Sequence, residues 1–371
     1  MTRIALHVRA VVFALLAGLP VLLGLAGCDR DSRDSKASGP NPARELVFYS
    51  WEEDLPPSLL TAFTAETGAR VVYRTYRSTE EGVAGIRSGQ VCDVAVIENP
   101  FIPDLAAEGL LAELDHRNIP NLVHLAEDFR ELLFDPGNRY SVTFNWGLTG
   151  LVVRDDLAQG RVTRWADLWD ERFAGRIQVW DLQRTLVGIA LKSLGHSANS
   201  ENPAELEAAL ARLVQLKARA RTSGYAPDLA EQALANGRTA LLYGYSQDLL
   251  RGRERGLQVS FVIPAEGSLQ WTDNFVVPAA SPNKHLAERF IDFMLRPENS
   301  ARIVNEQRYP TANKAATPFI RPEILNDPVL FPPVREMRRA EVLMPLSPEG
   351  QRLHADLWRR YLAAPALSAK P

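Results

Sequence analysis

LVFYSWEEDLPPSLLTAFTAETGARVVY, residues 46–73, decides how this chain is read. Leu46 to Tyr49 is an apolar run of strand length that ends in Trp51. Glu52, Glu53 and Asp54 follow, then Pro56 and Pro57, which stop a strand and suit the first turn of a helix. From Pro57 to Thr67, Leu59, Leu60, Ala62 and Phe63 share one helical face, and Gly68 supplies a stop. ARVVYRTY then alternates as a strand should, with Val71, Tyr73 and Thr75 against Val72 and Tyr76. A second helix from about Thr79 to Ser88, then Gly89 and the strand VCDVAVI, completes a β-α-β-α-β rhythm. That rhythm predicts a parallel sheet covered by helices, an α/β fold.

A second unit of the same kind follows. SVTFNWGLTGLVVR (141–154) reads as one long extended crossing, and WADLWDERFAGRIQVWD carries a short helix into a strand at Ile177–Trp180. Helices are expected over Thr185–Leu194 and Pro203–Ala220, and a buried strand in ANGRTALLYGYS (235–246). LQVSFVIPAEG and LQWTDNFVVPAA are two more extended segments, and HLAERFIDFML is an amphipathic helix with Leu286, Phe290, Phe293 and Met294 inward.

The amino terminus reads as an export signal. Arg3 and Arg9 precede the apolar VVFALLAGLPVLLGLAGC, and Leu25-Ala26-Gly27-Cys28 resembles a bacterial lipobox. The resemblance implies cleavage before Cys28 and lipid on its thiol, so residues 1–28 are a signal peptide and 29–43 a flexible tether. Loss of Arg3 and Arg9 takes the formal charge from −3 to −5. With Cys28 acylated, Cys92 has no partner for an intramolecular disulfide, and its apolar neighbours make it a small buried strand residue.

Composition narrows the function. The 42 basic and 45 acidic side chains offer no basic field to nucleic acid. The histidines at 7, 116, 124, 196, 285 and 354 fall singly, so no metal site is expected. G-x-S-x-G, P-loop and G-x-G-x-x-G motifs are all lacking, which leaves no cofactor and no enzyme reading to favour.

Instead, aromatic residues recur beside acids: Trp51 with Glu53, Tyr245 with Asp248, and Trp271 with Asp273. Each pair is expected at a strand end, where open α/β sheets bind ligands. An aromatic face attracts an ammonium group by about 0.5–2 kcal/mol, and a carboxylate supplies the countercharge a desolvated amine needs. Taken singly, each has a plainer reading. Glu52 to Asp54 would cap a helix, Tyr243 and Tyr245 would line a buried strand face, and Asp273 would sit in a turn. The threefold repetition favours an organic cation site.

From Glu45 to about Pro333 the chain resembles the polyamine-binding lipoproteins and periplasmic proteins of ABC importers. The matching stretches are FYSWEEDLPPSLLTAFTAETGARVVY, VTFNWGLTGLVV, TRWADLWDERFAGRIQ, ALANGRTALLYGYSQD, QWTDNFVVPAASPN and RYPTANKAATP, in that order. The resemblance implies a two-lobed periplasmic-binding-protein fold of type II with ligand in the interlobe cleft. The first lobe would take 44–147 and 274–317, the second 148–273 and 318–371. It further implies ligand contacts at Trp51, Glu53, Tyr245, Asp248, Trp271, Asp273 and Tyr309, with Asp54, Asn99, Phe101, Asp181, Tyr243 and Thr185 in second rank. Expected partners are a putrescine- or spermidine-like amine, permease subunits and the membrane, through lipid on Cys28. A monomer is expected. Asp29 resembles an inner-membrane retention signal, which would place the protein at the periplasmic face, or at the cell surface in a host without an outer membrane.

The sequence departs from the family at one end of the site. Where members place acids after the strand at 177–181, this chain has Leu182 and Thr185, which cannot pair with an ammonium, and Arg184 between them. Three readings therefore stay open: a polyamine carrier, a binder of another amine or of a zwitterion (an amino acid derivative or opine) whose carboxylate meets Arg184, and a ligand sensor docking on a membrane receptor.

Overall fold

In the computed structural model, β1 (Glu45–Trp51) is buried on both faces and its alternation shows how. Leu46 and Phe48 enter a core with Phe63, Phe275 and Phe290, while Val47 and Tyr49 enter the core on the opposite side with Ile86, Ala95 and Ile97. The structure describes residues 44–366, so the expected signal peptide, Cys28 and the tether lie outside the described residues. Among the described residues no helix is long and apolar enough to cross a membrane.

The first unit follows the sequence closely: α1 (Pro57–Thr67), β2 (Arg70–Tyr76), α2 (Thr79–Arg87), β3 (Val94–Glu98) and a short α3 (Ile102–Ala107). Pro57 opens α1 and Gly68, at φ 71°, closes it in the left-handed region that glycine tolerates. Cys92 is buried just ahead of β3 rather than within it, and burial pushes its thiol up to about 12, out of reach of thiolate chemistry.

The segment expected as a single crossing is two strands. β4 (Ser141–Leu148) belongs to one sheet and β5 (Gly150–Arg154) to another, with Thr149 alone between them. Beyond lie β6 (Ile177–Trp180), α4 (Gln183–Ser193), α5 (Pro203–Lys217), β7 (Ala220–Ser223), α6 (Pro227–Ala235), β8 (Leu241–Gly244), α7 (Ser246–Glu254) and β9 (Val259–Val262). β10 (Leu269–Val276) re-enters the first sheet and leads to α8 (Lys284–Met294) and α9 (Pro297–Gln307). Short α10 (Pro322–Leu325) and α11 (Val334–Met337), β11 (Glu341–Val342) and α12 (Pro348–Ala363) complete the chain.

The first sheet runs β11-β10-β3-β1-β2, with β4 on the other edge of β10; the second runs β7-β6-β8-β5-β9. Neither is wholly parallel, contrary to the expectation. β1, β2 and β3 are parallel, but β10 is antiparallel to β3 and β4, just as β5 is antiparallel to β8 and β9. The crossing strands cause this, because each enters the other unit directly without a helical crossover to reverse its direction. β10 lies in the first sheet over its whole length, so a lobe boundary at 273/274 falls inside a strand. β11 also joins that sheet, while α12 packs on α5 of the second unit.

The two crossings touch. Thr149 N–H donates to Leu269 O at 2.9 Å, and Ser268 Oγ donates to Thr149 O, so both strands leave the first sheet from one point.

Candidate functional site

The carboxyl ends of β1, β2 and β3 face those of β6, β7 and β8 across a cleft that holds a cavity of about 200 Å³. That is room for a small molecule and accords with where open α/β sheets place ligands.

Rings form much of its wall. Tyr225, Tyr245, Trp271 and Tyr309 meet edge to face in sequence, with centroids 5.2, 6.1 and 5.9 Å apart. On the other side Trp51 meets Tyr76 at 4.9 Å. Trp271 lies over Gly147 of β4: a Cβ there would come within 2.4 Å of its Cζ2, so only glycine admits the indole. Edge-to-face contacts hold each ring by the next.

Acids come chiefly from the first sheet. Asp54 is buried, accepts from Ser50 Oγ, and accepts from Asn145 Nδ2 at 3.3 Å. Asp273 is buried in β10 and Glu98 ends β3, and the two are direct partners across the antiparallel pair. Burial raises the carboxyl of Asp54, and burial followed by repulsion from Asp54 and Glu98 raises that of Asp273 well above the usual range. Burial, then Glu80, pushes Glu98 up to about 7. Asp54, Asp273 and Glu98 thus converge; of the other described charged residues lining the cavity, Glu52 and the one basic side chain, Arg77, are both exposed. A cation entering the cleft lowers the free energy of all three together.

Of the residues expected to form the site, Trp51, Tyr245, Trp271, Asp273 and Tyr309 line the cavity, together with Asp54 and Thr185 from the second rank. Glu53 does not. It sits at φ 59°, largely exposed, and pairs with Arg251 of α7 at 2.8 Å. The turn after β1 thus turns Asp54 inward and Glu53 outward, reversing their expected order. Asp248 lies one layer behind, accepting from Tyr225 OH at 3.2 Å and Tyr245 N–H at 2.9 Å, with Arg251 at 3.7 Å. It positions two rings and is already partnered. Gly244 makes room for it, since a Cβ there would meet Asp248 Oδ2 at 2.6 Å.

The remaining second-rank residues stand away from the cavity. Asn99 donates to Leu343 O and accepts from Thr272 Oγ1 at 3.1 Å. Asp181 accepts from Tyr361 OH at 2.8 Å, and Tyr243 is fully buried beside Tyr245. Phe101 lines a small side recess with Glu80, Arg184 and Thr185. Trp271 and Asp273 lie within β10 rather than at its end.

Sequence reasoning missed Glu98, Tyr76 and Tyr225. The first two are the last residues of strands it had recognised, so the strand-end rule applied evenly would have found them. Tyr225 follows β7, where no strand was expected: the expected helix ended at Ala220, and 221–223 were left without an element.

Arg184 points inward, not to solvent. Its guanidinium meets His354 Nδ1 at 3.2 Å, Asn199 Oδ1 at 3.2 Å and Met344 O at 3.0 Å. Among the described residues no group of His, Cys, Asp and Glu could hold a metal ion.

Two sheets joined by crossing strands, with a ring-lined acidic cleft between them, define a binding protein for a small solute. The chain belongs to the bacterial extracellular solute-binding protein family, whose model matches residues 58–332. It is 31% identical to the spermidine/putrescine-binding periplasmic protein of Escherichia coli (strain K12), covering 88% of this chain and 91% of that one. It is 32% identical to a putrescine/cadaverine-binding protein of Pseudomonas aeruginosa, covering 85% and 93%. Among solved structures, a putative spermidine/putrescine ABC transporter protein from Listeria monocytogenes matches with a TM-score of 0.80 at 30% identity, over 86% of this chain and 99% of the other. The two-lobed fold expected from the sequence is therefore the fold of this chain. Its family binds solutes outside the cytoplasm and is not a family of enzymes.

Proposed function

We propose that this protein is the solute-binding component of an ABC importer and holds a linear polyamine, of putrescine or spermidine type, in the cleft. The observation that carries the reading is the buried Asp54–Asp273 pair, framed by Trp51, Tyr76, Trp271 and Tyr309, with repulsion raising Asp273 further. An ammonium group at the two carboxylates removes that repulsion, and the rings cover the methylene chain. The names of the relatives support the same ligand class. No bond is made or broken; ligand bridges the lobes and shifts the population toward the closed form.

The chain would act as a monomer held at the membrane by lipid on Cys28 and would pass its ligand to permease subunits. Its two lobes would divide at the crossing strands, near Thr149 and Ser268, with a third passage between β11 and α12. A zwitterionic ligand would need Arg184, whose terminal nitrogens are engaged by His354, Asn199 and Met344 and whose acidic neighbours outnumber it.

Isothermal titration calorimetry with putrescine, spermidine and 4-aminobutyrate tests the reading. Saturable binding of the polyamines, with none of the zwitterion, is the expected result; binding of the zwitterion alone would overturn it.

A further inference from the structure

The acids that the resemblance places after β6 are replaced here by Leu182 and Thr185, yet that end of the cleft is not without charge. Glu98, at the end of β3, shares both the main cavity and the side recess with Leu182 and Thr185. Its carboxylate forms no ion pair with any described residue. Arg184, the basic residue lining that recess, turns its terminal nitrogens to His354, Asn199 and Met344 instead. Glu80 of α2 lines the same recess, so two carboxylates and one guanidinium leave a net negative charge there. Glu98 also faces Asp273 directly across β3 and β10, an arrangement of like charges that destabilises a sheet unless a counter-ion sits between them.

We propose that Glu98 is a specificity-determining residue of this site: it supplies from the first sheet the counter-charge that α4 lacks, so that one ammonium of a diamine lies at Asp54 and Asp273 and the other at Glu98. The acid of the second lobe has in effect moved across the cleft. Leu182 and Thr185 then cover the methylene chain and the rim of the recess, without touching charge. Recognition of both ends by one sheet makes selection for two positive charges a property of the first lobe alone.

The inference rests on the polyamine reading, and calorimetry separates the two. Putrescine and butylamine, which share a chain length and differ in one ammonium, are titrated into the wild type and Glu98→Gln. The wild type is expected to favour putrescine strongly. Glu98→Gln is expected to lose about tenfold to a hundredfold for putrescine, the range for one charged hydrogen bond, and to bind butylamine as before. Unchanged putrescine affinity in Glu98→Gln would overturn the role of Glu98 while leaving the polyamine reading intact. A wild type that binds neither amine would remove both. Ligand-free Glu98→Gln is expected to melt at or above the wild type at about pH 8, because a facing like charge is gone; a lower melting temperature would assign Glu98 a structural role instead.

Discussion

At the scale of single residues, the turn after β1 separates two neighbours that the sequence cannot tell apart. Asp54 is 2% exposed and faces the cleft, whereas Glu53 pairs with Arg251 in solvent. Exposed pairs contribute at most about 1 kcal/mol. Glu53→Gln is therefore expected to change amine affinity by less than about fivefold. Asp54→Asn and Asp273→Asn are each expected to weaken it by about tenfold or more, because a desolvated ammonium loses its countercharge. Titration calorimetry of the three variants checks this ranking, and an equal loss in Glu53→Gln and Asp54→Asn would refute it.

The same carboxylates make binding depend on pH with a definite sign. Burial raises Asp54, Asp273 and Glu98, with further repulsion from Asp54 and Glu98 on Asp273 and from Glu80 on Glu98; hydrogen bonds from Ser50 and Asn145 to Asp54, from Trp51 to Asp273 and from Thr79 to Glu98, and the charge of Arg184 on Glu98, work the other way. Unfolded carboxyls titrate near about 4. The folded protein thus binds more protons than the unfolded chain between that value and about 7. The stability linked to these groups is present at low pH and lost as pH rises through their folded values. His354, pushed down to about 4 by burial, acts oppositely below its usual range, so the clean window lies above about pH 6.5. From there to about pH 8.5 the ligand-free melting temperature is expected to fall while amine affinity rises. Calorimetry in buffers of different ionisation enthalpy should show proton release on binding near pH 7, and its absence would contradict the charge assignment.

At the scale of elements, β4 and β10 carry the site through one close approach. Gly147 gives the space in which Trp271 lies, and Trp271 in turn holds Tyr245 and Tyr309. Gly147→Ala would force the indole outward, with an expected loss of about 1–3 kcal/mol in stability, typical of overpacking, and a weaker site. Thermal melts with and without putrescine would register both effects. Such contacts were not legible in the sequence, since nothing near position 147 announces a partner at 271. What was legible followed local rules. Pro57 and Gly68 bounded α1, alternation gave β2, and the pattern of Leu286, Phe290 and Phe293 gave α8. β7 was hidden because ARTS has no apolar run, and it becomes a strand only by pairing with β6. The aromatic members of the site were found because rings beside acids are a chemical signature. Glu98 was missed because it lies one residue beyond the apolar run VCDVAVI, and its acidic partner Asp273 meets it only across strands.

At the scale of the whole molecule, the two units touch outside the cleft through a few polar contacts. Glu53 pairs with Arg251, Gln247 Nε2 donates to Arg308 O at 2.7 Å, and Gln351 Nε2 donates to Asp104 Oδ2 at 2.8 Å. The exposed contacts contribute little, and the buried Gln247 adds a single hydrogen bond, so together they oppose only weakly the repulsion among Asp54, Asp273 and Glu98. The crossing points at Thr149 and Ser268 are tied to one another, which suits them to act as a hinge. A ligand that neutralises the acids then favours the closed arrangement by the difference in its affinity for the two states. Without amine, small-angle X-ray scattering at about pH 8 is expected to give a larger radius of gyration than with saturating putrescine. Asp54→Asn combined with Asp273→Asn removes two of the repelling charges, and in that variant the ligand-free molecule is expected to move toward the compact value. An unchanged radius on replacing both acids would mean that closure is set by the hinge and the surface contacts rather than by charge in the cleft.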